Sequence, residues 1–196
     1  MRAFLVKASS AVTAPHFRPE GLASYGRMDV VARSAIAALR VREGVRRNVV
    51  FYAVLEGPPK PPILLEFRGA ELDSIPLSEV DVGWLIKRAL EGVSIRGVYV
   101  RRMGFRDVVL ELLEILGREN VVYLHEDGLD LAHVRLSRDV AMILGDHRGL
   151  DYESERWLES LGLRWVSLGP IPYFTDQCII FANYVLDQVE IGQRVL

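Results

Sequence analysis

Two stretches hold residues whose types and spacing could do chemistry. In GDHRG, residues 145–149, Asp146 and His147 are adjacent, a carboxylate and an imidazole that can act as an acid–base pair or can simply tie a strand end to neighbouring backbone. In SLGPIPYFTDQC, residues 167–178, Gly169, Pro170 and Pro172 keep the chain out of regular structure. Such a loop offers main-chain N–H and C=O groups rather than side chains, which suits recognition of a small flat ligand. Three strand ends share this character: Tyr123-Leu124-His125, Leu144-Gly145-Asp146-His147 and Leu168-Gly169-Pro170. Glycine at 145 and 169 lets backbone approach a ligand with no Cβ in the way. Each alone reads as a turn; together they mark one site outside the carboxyl ends of parallel strands.

Other chemistries find no footing. There is no GxGxxG after the first strand, no GxxxxGK[ST] and no GxSxG. His16, His125, His133 and His147 are far apart with one cysteine among them, so no zinc ribbon or HExxH site can be drawn and no metal is expected.

The elements that must position these stretches alternate. AFLVKA opens as a strand, followed by a long polar, proline-containing loop. After GRMD, residues 26–29, Val30, Val31, Ser34, Ala35 and Ala38 trace a helical face, so Asp29 stands at a helix start where a carboxylate can cap a backbone N–H. NVVFYAVLEG is a buried strand that runs into a stiff turn, GPPKPP, and ILLEF is a second strand. Ser78 and Asp81 form a capping-box pattern ahead of a helix with Val82, Leu85, Ile86 and Leu90 on one face. A short strand and a helix ending at Gly117 come next, then strands in NVVYLHEDG and DVAMILGDHRG. A helix over 152–161, a strand in LRWVS and the apolar run IIFANYVLD complete the chain. Strands separated by helices predict an α/β fold with a largely parallel sheet and helices on both faces.

With 196 residues, half of them apolar, the chain is expected to form one domain over 1–196. One cysteine excludes an intramolecular disulfide, and no apolar run approaches the length of a membrane span; a soluble, cytoplasmic protein is expected. A net charge of −2 argues against a general electrostatic grip on nucleic acid, yet 21 of the 24 basic residues are arginine, whose planar fork suits phosphate.

Several strings occur together and in order: GRMD, RRNVVFYAVLEGPPKPP, YVRRMGF, GDHRG, SLGPIPYFTDQC and a helix with Leu186-Asp187. From about residue 3 to 187 this set closely resembles the archaeal tRNA pseudouridine-54 N1-methyltransferases, members of the SPOUT class related to the ribosome-biogenesis pseudouridine N1-methyltransferases. The resemblance implies a deep trefoil knot within about 120–190, a homodimer packed through the knotted region, and S-adenosyl-L-methionine bound in the knot. It further implies a cofactor pocket lined by Leu124, Gly145, Leu168, Gly169, Pro170, Ile171, Tyr173 and Cys178. Ahead of the cysteine, where relatives often carry histidine or asparagine, this chain has Phe174-Thr175-Asp176-Gln177, and no catalytic role passes to that tetrapeptide.

For such a reaction the N1–H of pseudouridine must be lost, which calls for a base or a site that stabilises the anion. Asp29 is the candidate base or hydrogen-bonding partner of the uracil edge, and Arg27 the candidate to hold phosphate or developing negative charge. A salt bridge with a helix cap explains the same two residues. Arg46, Arg47, Arg101 and Arg102 are the candidates for contact with the tRNA backbone. Two other functions stay open: the same transfer to a pseudouridine in ribosomal RNA, and a non-enzymatic knotted RNA-binding module.

Overall fold

Seven consecutive buried residues make β1 (Arg2–Ala8) the middle strand of the computed structural model, which describes residues 1–192. A strand hidden on both sides needs apolar side chains on both faces, and Ala3, Phe4, Leu5 and Val6 supply them. A short 3-10 helix, Pro19–Ser24, precedes α1 (Met28–Leu39) and a small hairpin of β2 (Arg40–Val41) and β3 (Gly44–Val45). There follow β4 (Val49–Leu55), β5 (Ile63–Arg68), α2 (Glu79–Leu90), β6 (Val98–Arg101), α3 (Phe105–Leu116) and β7 (Val121–Asp130). The chain continues through β8 (Val140–Gly145), α4 (Tyr152–Ser160), β9 (Arg164–Ser167) and α5 (Thr175–Glu190).

The main sheet has the order β6-β5-β4-β1-β8-β7-β9. β4, β1, β8, β7 and β9 run parallel, whereas β5 and β6 are antiparallel additions at one edge. The proline-rich turn between β4 and β5 is too short for a crossover, so the chain can only double back. One face packs on α1, α2 and α5 through residues such as Phe4, Phe51, Met142, Val31, Val82 and Ile179. The other packs on α3 and α4 through Leu5, Tyr52, Ile143, Val109 and Leu158. This is the α/β arrangement expected, with helices on both faces.

Three local expectations change. The loop after β1 is not a polar excursion: Ala11, Phe17 and Pro19 are buried, the first two in the α1/α2 core. The residue at the N-cap of α1 is Arg27, and no side chain caps that end; Asp29 lies inside the first turn. In α2 the Asp81 N–H donates to Ser78 Oγ at 3.1 Å, while Ser78 Oγ returns its proton to the Asp81 side chain rather than the Asp81 carboxylate reaching the cap backbone.

In the last third of the chain, β9 lies at the sheet edge outside β7, yet α5 returns beneath the centre of the sheet and packs on α1. Thr175 Oγ1 donates to the Gly145 carbonyl at 3.0 Å, and Asn183 Nδ2 donates to the Ala37 carbonyl at 3.0 Å. The β7–β8 connection passes over the same core, with Val134 and Leu136 against it, and Arg138 donates to the Glu190 carbonyl at 3.2 Å. At the far end Arg2 donates to Asn183 Oδ1 at 2.6 Å and to Asp187 at 2.9 Å, fastening the C-terminal half of α5 to the start of β1.

Candidate functional site

The carboxyl ends of β7, β8 and β9 open into a cavity of about 340 Å³, within the roughly 300–1,000 Å³ usual for small-molecule sites. Leu124, Gly145, Leu168, Gly169, Ile171, Tyr173 and Cys178 line it, as do Leu144, Pro172 and Thr175; Pro170 is not among its lining residues. The walls combine apolar side chains with the carboxylates of Glu126, Asp146 and Glu155. Such a lining, with Arg148 also part of it, fits a ligand that joins a flat heteroaromatic ring to a positively charged sulfur and a carboxylate, as S-adenosylmethionine does.

The two glycines serve different ends. At Gly145 an added Cβ would lie 2.1 Å from the carbonyl carbon of Gly149, so glycine there lets the Asp146–Gly149 turn fold back on the strand. That is a packing need within the chain, not room for a ligand. At Gly169 the space is open, but φ is +112°, a conformation L side chains rarely adopt. Part of the backbone expected to face a ligand is also engaged internally: Gly169 N–H donates to Ser167 Oγ at 3.1 Å and the Gly145 carbonyl is held by Thr175. The Cys178 thiol is pushed up to about 11, by burial first and the Asp176 charge second, so it is a wall and not a nucleophile at neutral pH.

β7 supplies one residue that sequence reasoning missed, Glu126, next to His125 of the expected strand end. Val166 pairs with Leu124 and again with Leu129, so the intervening residues bulge out of the ladder and carry His125 and Glu126 to the cavity. Gly128 permits this, because a Cβ there would meet the Val166 backbone at 2.5 Å.

Asp146 ties the cavity to the loop after β1. Its carboxylate accepts from the Ser9 N–H at 2.8 Å, from Ser9 Oγ at 2.6 Å and from the Arg148 N–H at 2.9 Å. Ser10 Oγ in turn donates to the Gly26 carbonyl at 3.1 Å, next to Arg27. A signal for Ser9 was present in the sequence: it follows the carboxyl end of the first strand, where a ligand site is expected.

Arg27 has φ 63° and ψ 40°, the left-handed region, and is alone in this among non-glycine residues of the described chain. Such a conformation costs about 1–2 kcal/mol and must be held by its surroundings. The holding group is Asp29, whose two oxygens accept from Arg27 Nε and Nη2, both at 2.9 Å, while Arg33 Nη1 adds a third bond at 2.8 Å. Burial pushes the Asp29 carboxyl up, but the hydrogen bonds from Arg27 and Arg33, with their charges, prevail and hold it below the usual carboxylate range. Arg27 is raised by its bond to Asp29, against burial; the charges of Asp29 and of Asp146 add to the rise. Asp29 is thus a fixed carboxylate that orients Arg27 and a weak proton acceptor.

The four doublet arginines separate. Arg46 makes a paired contact with Asp187 at 2.7 and 2.8 Å, and Arg47 donates to the carbonyls of Gly69 and Leu72. Both precede β4, and register pairs Val49 with Arg2, so they lie at the end of the sheet opposite the cavity. Arg101 is level with Leu64, Val54, Lys7 and Gly145, at the cavity end, but its guanidinium is bound to Glu111 at 2.9 and 3.0 Å. Arg102 is exposed and has no ion-pair or hydrogen-bond partner among the described residues. Arg46, Arg47 and Arg101 thus have guanidinium groups engaged within the chain, whereas Arg102 does not among the described residues.

Residues 1–191 match a family model described as "Putative SAM-dependent RNA methyltransferase". Among curated proteins, the tRNA (pseudouridine(54)-N(1))-methyltransferase of Methanocella arvoryzae is 38% identical over 96% of this chain and 100% of its own length. Those of Methanocaldococcus jannaschii and Pyrococcus abyssi are each 37% identical over 97% of this chain and 98% and 100% of their own. Among solved structures, Archaeoglobus fulgidus Nep1 bound to S-adenosylhomocysteine superposes with a TM-score of 0.65 over 97% of this chain and 99% of that one. At 16% identity that likeness speaks for the fold.

Proposed function

Because the chain belongs to the SAM-dependent RNA methyltransferase family whose model spans its residues 1–191, we propose that it methylates N1 of pseudouridine-54 in the T-loop of tRNA. It is a transferase that uses S-adenosylmethionine. The observation that carries this is end-to-end similarity, at 37–38% identity, to relatives that bear one activity name. A cavity of suitable size and lining, at the strand ends where such a cofactor is expected, supports it. Leu124, Leu168, Ile171 and Tyr173 form the apolar walls, Gly145 and Gly169 set the turns, and Cys178 closes one side. When bound, S-adenosylmethionine supplies a methyl group on a positively charged sulfur. Asp146 and Glu126 favour that charge. Arg27, locked by Asp29, stabilises the negative charge that develops on the uracil ring once N1–H is lost. Most of the rate enhancement then comes from positioning.

Further parts of the proposal rest on particular features. The chain is one SPOUT methyltransferase domain, knotted within about 120–190; support comes from α5, which runs from the edge beside β9 back to α1 beneath the β7–β8 connection. It works as a homodimer through the knotted region, supported by the exposed apolar side chains of Ile180, Phe181 and Tyr184 on α5 beside the cavity loop. Arg102 and Arg27 touch the tRNA backbone or target base, while Arg46, Arg47 and Arg101 serve the fold. Among the described residues no helix is long and apolar enough to cross a membrane, and we place the activity in the cytoplasm.

The test is incubation of the protein with labelled S-adenosylmethionine and tRNA transcripts that carry uridine or pseudouridine at position 54, followed by nucleoside analysis. N1-methylpseudouridine formed only from the pseudouridine transcript is the expected result. In a parallel incubation with ribosomal RNA, label there but not in tRNA would move the substrate, and no transfer to either would remove the enzymatic function.

A further inference from the structure

We propose that His147 takes the N1 proton of the target base and that Asp146 fixes the tautomer that lets it do so. The proposal rests on the methyltransferase function above and identifies the base of that reaction.

Apart from Glu126, exposed on the cavity wall and assigned above to the positive charge of the cofactor, the other groups that could take the proton are engaged or unsuited. Asp29 receives three guanidinium hydrogen bonds and is held in the unprotonated state. The Cys178 thiol is raised by burial. Glu155 accepts from the Tyr123 hydroxyl at 2.8 Å. His125 has its Nδ1 lone pair occupied by the Asp127 N–H at 3.1 Å, which puts its own proton on Nε2, 3.6 Å from Glu155. With one nitrogen accepting and the other protonated, the ring has no lone pair to offer.

His147 is arranged the other way. Its Nδ1 lies 3.4 Å from Asp146 Oδ1. The Asp146 side chain is 3% exposed and held by Ser9 and by the Arg148 N–H, so it cannot swing away. A fixed carboxylate beside Nδ1 favours the proton on that nitrogen and leaves the lone pair on Nε2. Nε2 has no partner among the described residues, and the ring lines the cavity. The same carboxylate acts electrostatically on Arg27, so the base and the group that stabilises the uracil anion lie within the field of one charge.

In the transfer, the N1–H bond breaks and its proton goes to His147 Nε2. The pair left on N1 forms the new N–CH3 bond, and the pair of the S–CH3 bond stays on sulfur, which loses its positive charge. The imidazolium then gives its proton to solvent.

Two measurements test this. In protein labelled with 15N-histidine, NMR of the free wild type should show His147 as the Nδ1–H tautomer, and Asp146→Asn should shift it toward Nε2–H. An Nε2–H tautomer in the wild type would overturn the proposal without recourse to any variant. In single-turnover assays on pseudouridine-54 tRNA, His147→Ala should be slower by about 100-fold or more, recover partly with added imidazole, and bind S-adenosylhomocysteine within about twofold of wild type. A rate near that of wild type, or no recovery with imidazole, removes His147 from the role. If the wild type itself makes no N1-methylpseudouridine, the function falls, and the base with it; if the wild type is active and the variant equally so, only the base falls.

Discussion

Arg46 and Arg102 look alike in the sequence, each in an arginine pair beside a strand, and differ in what their donors meet. Arg46 shares Asp187 with Arg2 and ties α5 to the β3–β4 connection; Arg102 meets no partner among the described residues. A cation neutralising one phosphate contributes about 0.9 to the slope of log affinity against log salt on duplex, and about 0.7 on a single strand. Arg102→Ala should therefore weaken tRNA binding and lower that slope by about one, with S-adenosylhomocysteine affinity unchanged. Arg46→Ala should instead cost about 1 kcal/mol of stability in urea melts, with tRNA binding intact. Equal tRNA affinity for wild type and Arg102→Ala would take that residue off the RNA path. The sequence made the pairs visible but not their partners, because Asp187 lies 141 positions from Arg46 and only the fold brings it there.

At the scale of elements, the carboxyl ends of β7, β8 and β9 build the site, and each does so through an irregularity: a bulge after Leu124, a tight turn after Gly145, a left-handed Gly169. The two glycines separate packing from conformation. Gly145→Ala drives a Cβ into the Gly149 backbone, which no rotamer can relieve, and should destabilise by several kcal/mol while abolishing S-adenosylhomocysteine binding. Gly169→Ala faces open space and bears only backbone strain of about 1–3 kcal/mol. Thermal melts with calorimetry of the two variants should place Gly145→Ala well below Gly169→Ala; the reverse order would show that the turn at 145 can relax. Periodicity made all five longer helices and the strands of the main sheet legible. The bulge was not, since it is set by Val166 backbone that arrives from elsewhere in the chain; the tight turn's real reason and the hairpin at β2–β3 are local fold-backs of the backbone, which side-chain periodicity does not report.

For the whole molecule, the exposed Ile180, Phe181 and Tyr184 on α5 should be covered by a second copy. Replacing Phe181 and Tyr184 together by glutamate should convert a dimer in sedimentation to a monomer. Wild type that sediments as a monomer at assay concentrations would end the dimer proposal. The sequence by itself determined the alternation of strands and helices, hence the α/β class, because side-chain periodicity is a local property of the backbone. Its motifs also pointed to the family, to S-adenosylmethionine and to the three strand ends around the cavity. Only the tertiary structure decided which chemical groups are free to act. It made Asp29 a clamp for Arg27 rather than a cap or a ready base, tied up Arg46, Arg47 and Arg101, and set His147 beside an immobilised Asp146. Protonation and ion pairing depend on distances and burial among residues far apart in sequence, and those exist only once the chain has folded.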